Sequence, residues 1–232
     1  MSKLIDTWTD FHDDAGGRDP DGYSPTLQEY HRILWSKPLP NGKAFTLDKI
    51  RQNRLFHKSD IGEFVLSSDM AVPSFTRRKR MQHIISQISP EVRNDFYRLT
   101  STIGASLIWP GNRIGNKMTI NGARGFNSRI SDRLDLTIEC IRRYYQNQHS
   151  PLYSTFKMYD SFFRLFENFK GYIDFFLLQD IVTGNYAKVK IALDFDDFRT
   201  SASPRSPDEY LTYVENTSSF VKARNTRISL LF

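Results

Sequence analysis

Arginine, lysine and asparagine side chains are concentrated between Gly111 and Arg143, in a stretch that is also rich in glycine. Arginine and lysine attract phosphate groups, and glycine and asparagine let the backbone turn so that its N–H groups approach an anion. The stretch therefore predicts a site for a phosphate-bearing ligand, either RNA or a nucleotide. The residues expected to hold phosphate are Arg113, Lys117, Asn121, Arg124, Arg129 and Arg133.

Two of these arginines are expected to act together. Arg129 and Arg133 stand four residues apart in a predicted helix over 128–145, so both could grip one phosphate. Apolar residues at spacings of three and four predict this helix. A structural reading remains open for each cation, since Arg133 could pair with Asp132 or Asp135, and the glycines and asparagines could serve a turn-rich hairpin.

Three carboxylates of the same predicted helix, Asp132, Asp135 and Glu139, are candidates for phosphodiester chemistry because they share one helical face. Such a set could also hold Mg²⁺ through its oxygen atoms. Glu139 is, however, four residues before Arg143, the spacing of an ordinary helical ion pair. The structural role is favoured, and we predict no metal site.

His149 is a fourth catalytic candidate. It follows Arg143 at a spacing known from a class of helical RNA-cleaving domains, in which histidine moves a proton and arginine stabilises the charged transition state. The same spacing occurs twice more in this chain, so the pattern is common. A solvated arginine and a histidine at the end of a helix are favoured.

The net charge of +6 is unevenly distributed. Residues 1–76 carry 9 basic and 11 acidic side chains, residues 77–143 carry 13 and 5, and residues 144–232 carry 10 and 10. The central third thus holds the whole excess, which would attract phosphate in a salt-dependent manner. The sequence leaves equally open that these cations pair with carboxylates of the N-terminal third.

Several familiar sites are missing from the sequence, and no cofactor is indicated. Gly111, Gly115 and Lys117 fail the phosphate-loop spacing, because the glycines are one residue too close and Met118 replaces the hydroxyl residue. The motifs of α/β-hydrolases, zinc proteases and dinucleotide-binding folds do not occur.

A cytoplasmic protein without a membrane span is predicted. Cys140 is the single cysteine, so no internal disulfide can form. The first residues lack a secretory pattern. The most apolar long stretch, residues 172–182, is far shorter than the roughly 20 residues that cross a bilayer.

The patterning predicts an α+β fold, a mostly helical single domain over 24–232 with a small antiparallel sheet, preceded by an irregular N-terminal arm over 1–23. Aromatic content of 14% allows a large core, and 25% charged residues exclude a wholly disordered chain. Helices are predicted over 24–35, 89–100 and 208–224, and strands over 63–67 and 103–109, the latter with a hairpin partner over 118–121.

Two other functions are kept as alternatives. A small-molecule enzyme would use a pocket beside the aromatic residues of 162–176, with an inward polar group such as Asp174 or His31. A protein-interaction component, for instance half of a toxin–antitoxin or defence pair, would show an apolar patch or form a homodimer.

The segments 23–42, 110–113, 118–126, 132–143 and 172–180 carry a whole-chain resemblance. The second and third contain the phrases Pro-Gly-Asn-Arg and Asn-Gly-Ala-Arg-Gly-Phe. The chain resembles a bacterial family of unknown function whose members are stand-alone proteins of about this length. The resemblance implies neither a fold nor an activity.

Overall fold

A computed structural model describes residues 5–47, 49–71, 76 and 78–231 of the chain. Helices and small antiparallel sheets are mixed, so the predicted α+β class is confirmed. The helices among these residues are α1 (Phe11–Asp14), α2 (Pro20–Tyr23), α3 (Pro25–Trp35), α4 (Gln82–Ile85), α5 (Pro90–Thr100), α6 (Ile120–Phe126), α7 (Leu134–Tyr145), α8 (Tyr153–Met158), α9 (Asp160–Phe163), α10 (Phe169–Phe175) and α11 (Pro207–Ser229). The strands are β1 (Lys37–Pro38), β2 (Ala44–Phe45), β3 (Lys49–Arg51), β4 (Arg54–Ser59), β5 (Gly62–Asp69), β6 (Leu107–Pro110), β7 (Val182–Thr183) and β8 (Lys188–Val189).

Serine caps set where three of the longer helices begin. The Ser24 side chain accepts a hydrogen bond from the Leu27 N–H, and Ser89 and Ser206 do the same at α5 and α11. Proline follows each of these serines, and its fixed φ suits a first helical position. The helices predicted over 24–35, 89–100 and 208–224 are therefore confirmed, although α11 runs five residues longer.

The larger sheet is antiparallel in the order β3–β4–β5–β6. Strand β6 pairs with β5, in a register that sets Leu66 opposite Pro110 and Asp69 opposite Leu107. The predicted hairpin partner over 118–121 is wrong. The Thr119 hydroxyl accepts a hydrogen bond from the Gly122 N–H and caps α6, so this segment begins a helix.

The helix predicted over 128–145 begins only at Leu134. Ser131 and Asp132 have φ angles of 48° and 63°, in the left-handed region that a helix cannot contain. The Ile130 and Ser131 N–H groups instead bond to the Asn127 carbonyl in a tight turn. The apolar stripe misled the prediction, because Ile130 is buried from the turn as well.

The predicted irregular arm contains two one-turn helices, α1 and α2. Residues 1–4 of the arm lie outside the described residues. Asp10 caps α1 by accepting hydrogen bonds from the His12 and Asp13 N–H groups. Phe11 is fully buried in the main core. Local capping and one aromatic anchor therefore order this segment.

A buried arginine fastens α11 to the core. The Arg224 guanidinium donates to four backbone carbonyls, those of Gly104, Ser106, Phe176 and Leu177, at 2.8–3.1 Å. Its side chain is fully buried, and burial lowers its pKa to about 9. These bonds join α11 to the segments before β6 and after α10.

Candidate anion-binding site

Arg124, one of the predicted phosphate ligands, is fully buried and already neutralised. It forms an ion pair with Asp69 and a second with Asp132 at 3.2 Å, and it donates to the Thr137 hydroxyl at 2.7 Å. Its guanidinium lies 4.7 Å from the centre of the Trp109 ring. Arg124 therefore holds α6, β5 and α7 together, and its surroundings leave no room for an external phosphate.

Arg133 is likewise occupied. Two of its nitrogens contact the two carboxylate oxygens of Asp135 at 3.1 and 2.5 Å, and a third donates to the Ala202 carbonyl at 3.2 Å. Burial opposes the charged form, but Asp135 outweighs it and raises the pKa of Arg133. Asp135 also accepts from the Ala192 N–H at 2.8 Å.

The two arginines that were predicted to share one phosphate do not belong to one helix, although both line the same depression. Arg129 lies in the turn before α7, whereas Arg133 is the residue that precedes its first turn. Arg129 is exposed, and Arg133 is buried. A joint grip from one helical face is wrong for these two residues.

The three candidate carboxylates serve as arginine partners. Glu139 bonds Arg142 at 2.7 Å and Arg143 at 2.8 Å, so the favoured helical ion pair is present. Asp132 and Asp135 face Arg124 and Arg133. Within the described ranges, no group of three or more His, Cys, Asp or Glu residues is placed to hold a metal ion.

The remaining candidates lie outside the lining of the depressions described below. Arg113 and Lys117 are exposed in the loop between β6 and α6. The Asn121 amide donates to the Ser67 hydroxyl at 3.1 Å and to the Ser68 carbonyl at 3.2 Å, so it braces β5. His149 is exposed beyond the end of α7.

Two other segments meet the turn that contains Arg129 and form a cleft. The loop 199–205 is tied to the turn before α7, because the Ala202 N–H donates to the Ser128 carbonyl at 2.9 Å and Ser203 contacts Ser131 at 3.0 Å. A nitrogen of Arg80, from the segment before α4, lies 3.5 Å from the Ser203 hydroxyl. We call this depression the arginine cleft. Its lining includes Arg133, which is already paired with Asp135, and three further cations, Arg80, Arg129 and Arg205.

The cleft has two lobes that share Thr200, Ser201, Ser203 and Arg205. The first has a volume of about 510 Å³ and includes Arg129, and the second, of about 380 Å³, includes Arg80. Arg80, Arg129 and Arg205 form no ion pair within the part of the chain that the structure describes; the Arg205 guanidinium donates instead to the Thr200 hydroxyl at 2.9 Å. Carboxylates line the first lobe as well, and one of them, Glu209, accepts a hydrogen bond from the Arg205 N–H at 2.7 Å. The lining of the second lobe contains no carboxylate among the described residues.

Part of the first lobe, called the acidic wall, carries acidic and aromatic side chains. Asp194 and Asp208 are exposed there, and Glu209 and Phe195 are half-buried. Asp196 is engaged locally, because it accepts from the Arg199 N–H and the Thr200 hydroxyl and so shapes the loop. The first lobe is thus lined both by guanidinium groups and by carboxylates that can accept hydrogen bonds.

Sequence reasoning missed Arg80 and Arg205. Arg80 belongs to a basic run that contributed only to the net charge, and Arg205 lies in a serine- and proline-rich loop far along the chain. The available signal was the clustering of hydroxyl residues at 200, 201 and 203 just before Arg205. Its meaning depends on the long-range contact between this loop and the turn that contains Arg129.

The aromatic residues of 162–176 pack against one another. Phe166 lies 5.3 Å from Phe162 and 5.3 Å from Tyr172, measured between ring centres, and all three are fully buried. His31 is buried and accepts from the Trp35 indole at 2.8 Å, while Asp174 bonds Lys170, Gln179 and Tyr186. An apolar cavity of about 260 Å³ lies elsewhere, between α11 and the segment 190–192.

Comparison with known proteins gives one match. The model of a family described as "Family of unknown function (DUF6994)" matches residues 5–228, which is nearly the whole chain. No curated protein matches, and no solved structure matches. Among the described residues, no helix is both long enough and apolar enough to cross a membrane.

Proposed function

We propose that this chain, which belongs to the DUF6994 family of unknown function, binds a phosphate-bearing ligand of nucleotide size in the arginine cleft. One observation carries the proposal: Arg80, Arg129 and Arg205 come from three separate segments and line one depression, with no ion pair among the described residues. Gathering like charges raises the free energy of the empty protein, and a bound anion offsets that cost.

The electrostatics beside the cleft support the same reading. Arg78 donates to the Gly125 carbonyl, and Arg80 approaches a serine hydroxyl, so both cations contact neutral oxygen atoms. Burial, followed by the charge of Arg80, lowers the pKa of Arg78 despite an opposing effect of Asp132. Two neighbouring cations that repel each other favour an anion between or beside them.

The hydroxyl groups of Thr200, Ser201 and Ser203 add hydrogen-bond donors of the kind that contact phosphate oxygens. The acidic wall suits the rest of a nucleotide, since Asp194 and Asp208 can accept hydrogen bonds from ribose hydroxyls or a base amino group. Phe195 offers an aromatic surface for a base. A volume of about 510 Å³ lies within the usual range for small-molecule sites.

The proposal concerns binding, and it assigns no cleavage step. The carboxylates of Asp132, Asp135 and Glu139 are committed to arginines. Cys140 is buried, and burial raises its pKa to about 12, so its thiol is a poor nucleophile. A cytoplasmic location belongs to the proposal, because nucleotides are abundant there and the described structure leaves Cys140 as a free thiol.

The experiment is a titration of ribonucleoside 5′-monophosphates and of inorganic phosphate by calorimetry, in about 50 mM salt so that screening stays weak. We expect a nucleotide to bind, and we expect Arg129→Ala and Arg205→Ala each to weaken it by about 10- to 100-fold, as for a charge-assisted hydrogen bond. Arg113→Ala is the matched control, because Arg113 is an exposed arginine outside the cleft. Absence of any nucleotide binding, or a loss in Arg113→Ala alone, would contradict the proposal.

A second candidate is favoured by the apolar cavity of about 260 Å³. Leu134, Ile181 and Phe220 line it, together with the exposed Lys190. Asp135 and Asp180 also line it, but they are paired with Arg133 and Arg227, so Lys190 is the charged side chain left for a small apolar molecule with a negative group. A Phe220→Trp substitution would reduce the cavity, and thermal-shift screening of short-chain carboxylates against both proteins tests for binding there.

A further inference from the structure

Phe126 is 80% exposed, although phenylalanine is normally buried. It is the last residue of α6, and the Asn127 N–H that follows it bonds to the Ala123 carbonyl and ends the helix. A single exposed apolar side chain is ordinary in a folded protein and carries no conclusion by itself. The surroundings of Phe126 are what distinguish it.

Cations flank Phe126 along the chain and in space. Arg78 donates to the carbonyl of Gly125, the residue directly before it. Arg129 follows three residues later, so its Cα lies within about 11 Å of the Cα of Phe126. Arg78 is also attracted by the carboxylate of Asp132, whereas Arg129 is exposed. Phe126 is therefore next to a residue that Arg78 contacts, and its Cα lies within about 11 Å of that of Arg129, which lines the arginine cleft.

The cleft is also longer than one nucleotide requires. The second lobe continues past the shared loop 200–205 and reaches Arg80 and the exposed His83. It is an open depression of about 380 Å³ beside the first lobe of about 510 Å³. Two adjoining lobes, each with its own arginine, suit a ligand with phosphates at repeated intervals.

We infer that the ligand of the arginine cleft is single-stranded nucleic acid and that Phe126 stacks on one of its bases. The inference rests on the proposed function and specifies its ligand class. Proteins bind single strands by combining a cationic groove along the backbone with aromatic side chains under the bases. A base in a duplex has both faces covered by its neighbours, so an exposed phenylalanine discriminates against duplex.

The test compares ligands of different length and strandedness. Fluorescence anisotropy would measure binding of labelled RNA and DNA single strands of about 12 nucleotides and of the matching duplexes. Calorimetry would measure a mononucleotide on the same proteins. We expect single strands to bind more tightly than duplexes. The affinities of the RNA and DNA single strands will show which of the two nucleic acids is preferred.

Phe126→Ala should weaken single-strand binding by about 5- to 150-fold, the range for loss of one stacked base. The same variant should leave mononucleotide affinity unchanged, and Phe126→Trp should restore strand binding. Trp8→Ala is the matched control, because Trp8 is another exposed aromatic side chain, 59% accessible, in the N-terminal segment. Phe126 is a surface residue, so an unchanged thermal midpoint will show that the alanine variant is folded.

The outcomes separate the two proposals. A mononucleotide that binds through Arg129, together with full strand affinity in Phe126→Ala, would overturn the inference and leave the proposed function intact. Equal affinity for duplex and single strand would overturn it as well. Failure of mononucleotides and of strands to bind would remove both.

Discussion

Arg124 and Asp69 form an ion pair that joins α6 to β5, although 55 positions separate them in the chain. The arginine belongs to the basic central third, and the aspartate belongs to the acidic N-terminal third. Part of the central excess of positive charge is thus neutralised inside the fold. The cations of the arginine cleft that are unpaired among the described residues, Arg80, Arg129 and Arg205, are different residues, and they come from segments that are distant in the sequence.

Arg124→Met should lower the free energy of unfolding by about 3–5 kcal/mol, because Asp69 and Asp132 would lose a buried partner. Urea denaturation followed by circular dichroism measures this. The matched Arg113→Met variant, at an exposed position, should change stability by no more than about 0.5 kcal/mol. Equal effects of the two substitutions would show that the buried ion pairs do not matter.

His31 should make the protein sensitive to acid. Burial, followed by the charge of Arg224, lowers the pKa of His31 to about 3, so the folded protein keeps it neutral while the unfolded chain protonates it near its usual value of 6.5. Its contribution to stability is therefore complete above pH of about 6.5 and is lost as the pH falls toward about 3. Denaturation at several pH values should give a smaller pH dependence in His31→Gln than in the native chain, whereas the exposed His83→Gln should leave it unchanged.

Gly104→Ala should destabilise the protein by about 1–3 kcal/mol. A Cβ atom at Gly104 would lie 2.5 Å from the Val221 carbonyl oxygen. It would also clash with the Asn225 amide oxygen, which accepts a hydrogen bond from the Gly104 N–H at 2.7 Å. Gly122→Ala is the control, because a Cβ there meets nothing closer than 3.5 Å and alanine favours the helix. A thermal melt of both variants should show a lower midpoint for the first only, and a drop of similar size in both would refute the steric argument.

Salt should weaken single-strand binding in proportion to the cations that contact phosphate. With Arg80, Arg129 and Arg205 engaged, the logarithm of affinity should fall against the logarithm of salt concentration with a slope of about −2. Arg80→Ala should reduce the magnitude of this slope by about 0.7. Anisotropy titrations between about 50 and 200 mM salt measure both slopes, and a slope near zero would speak against phosphate contacts.

Local chemistry explains what could be predicted from the sequence. Ser24 followed by Pro25 and Ser89 followed by Pro90 specify helix starts through contacts within four residues, and both predictions are confirmed. The start of α7 was missed, because left-handed backbone at Ser131 and Asp132 interrupts an apolar stripe that itself continues. Periodicity reports burial, and a turn can bury a residue as well as a helix can.

The composition of the site could not be predicted from residue spacing, because it depends on contacts between distant segments. Arg124 and Arg129 looked equivalent in the sequence, yet one is buried against two aspartates and the other lines an open cleft. Arg205 joins Arg129 because the loop 199–205 bonds to the turn at Ser128. Such pairings between distant segments set which cations remain available.

The four carbonyls that Arg224 satisfies belong to residues 104, 106, 176 and 177, and each of them is synthesised before the arginine. These four carbonyl groups therefore leave the ribosome before their hydrogen-bond donor, and they must bond to water until helix α11 emerges. The nascent chain cannot reach its final packing before this stage.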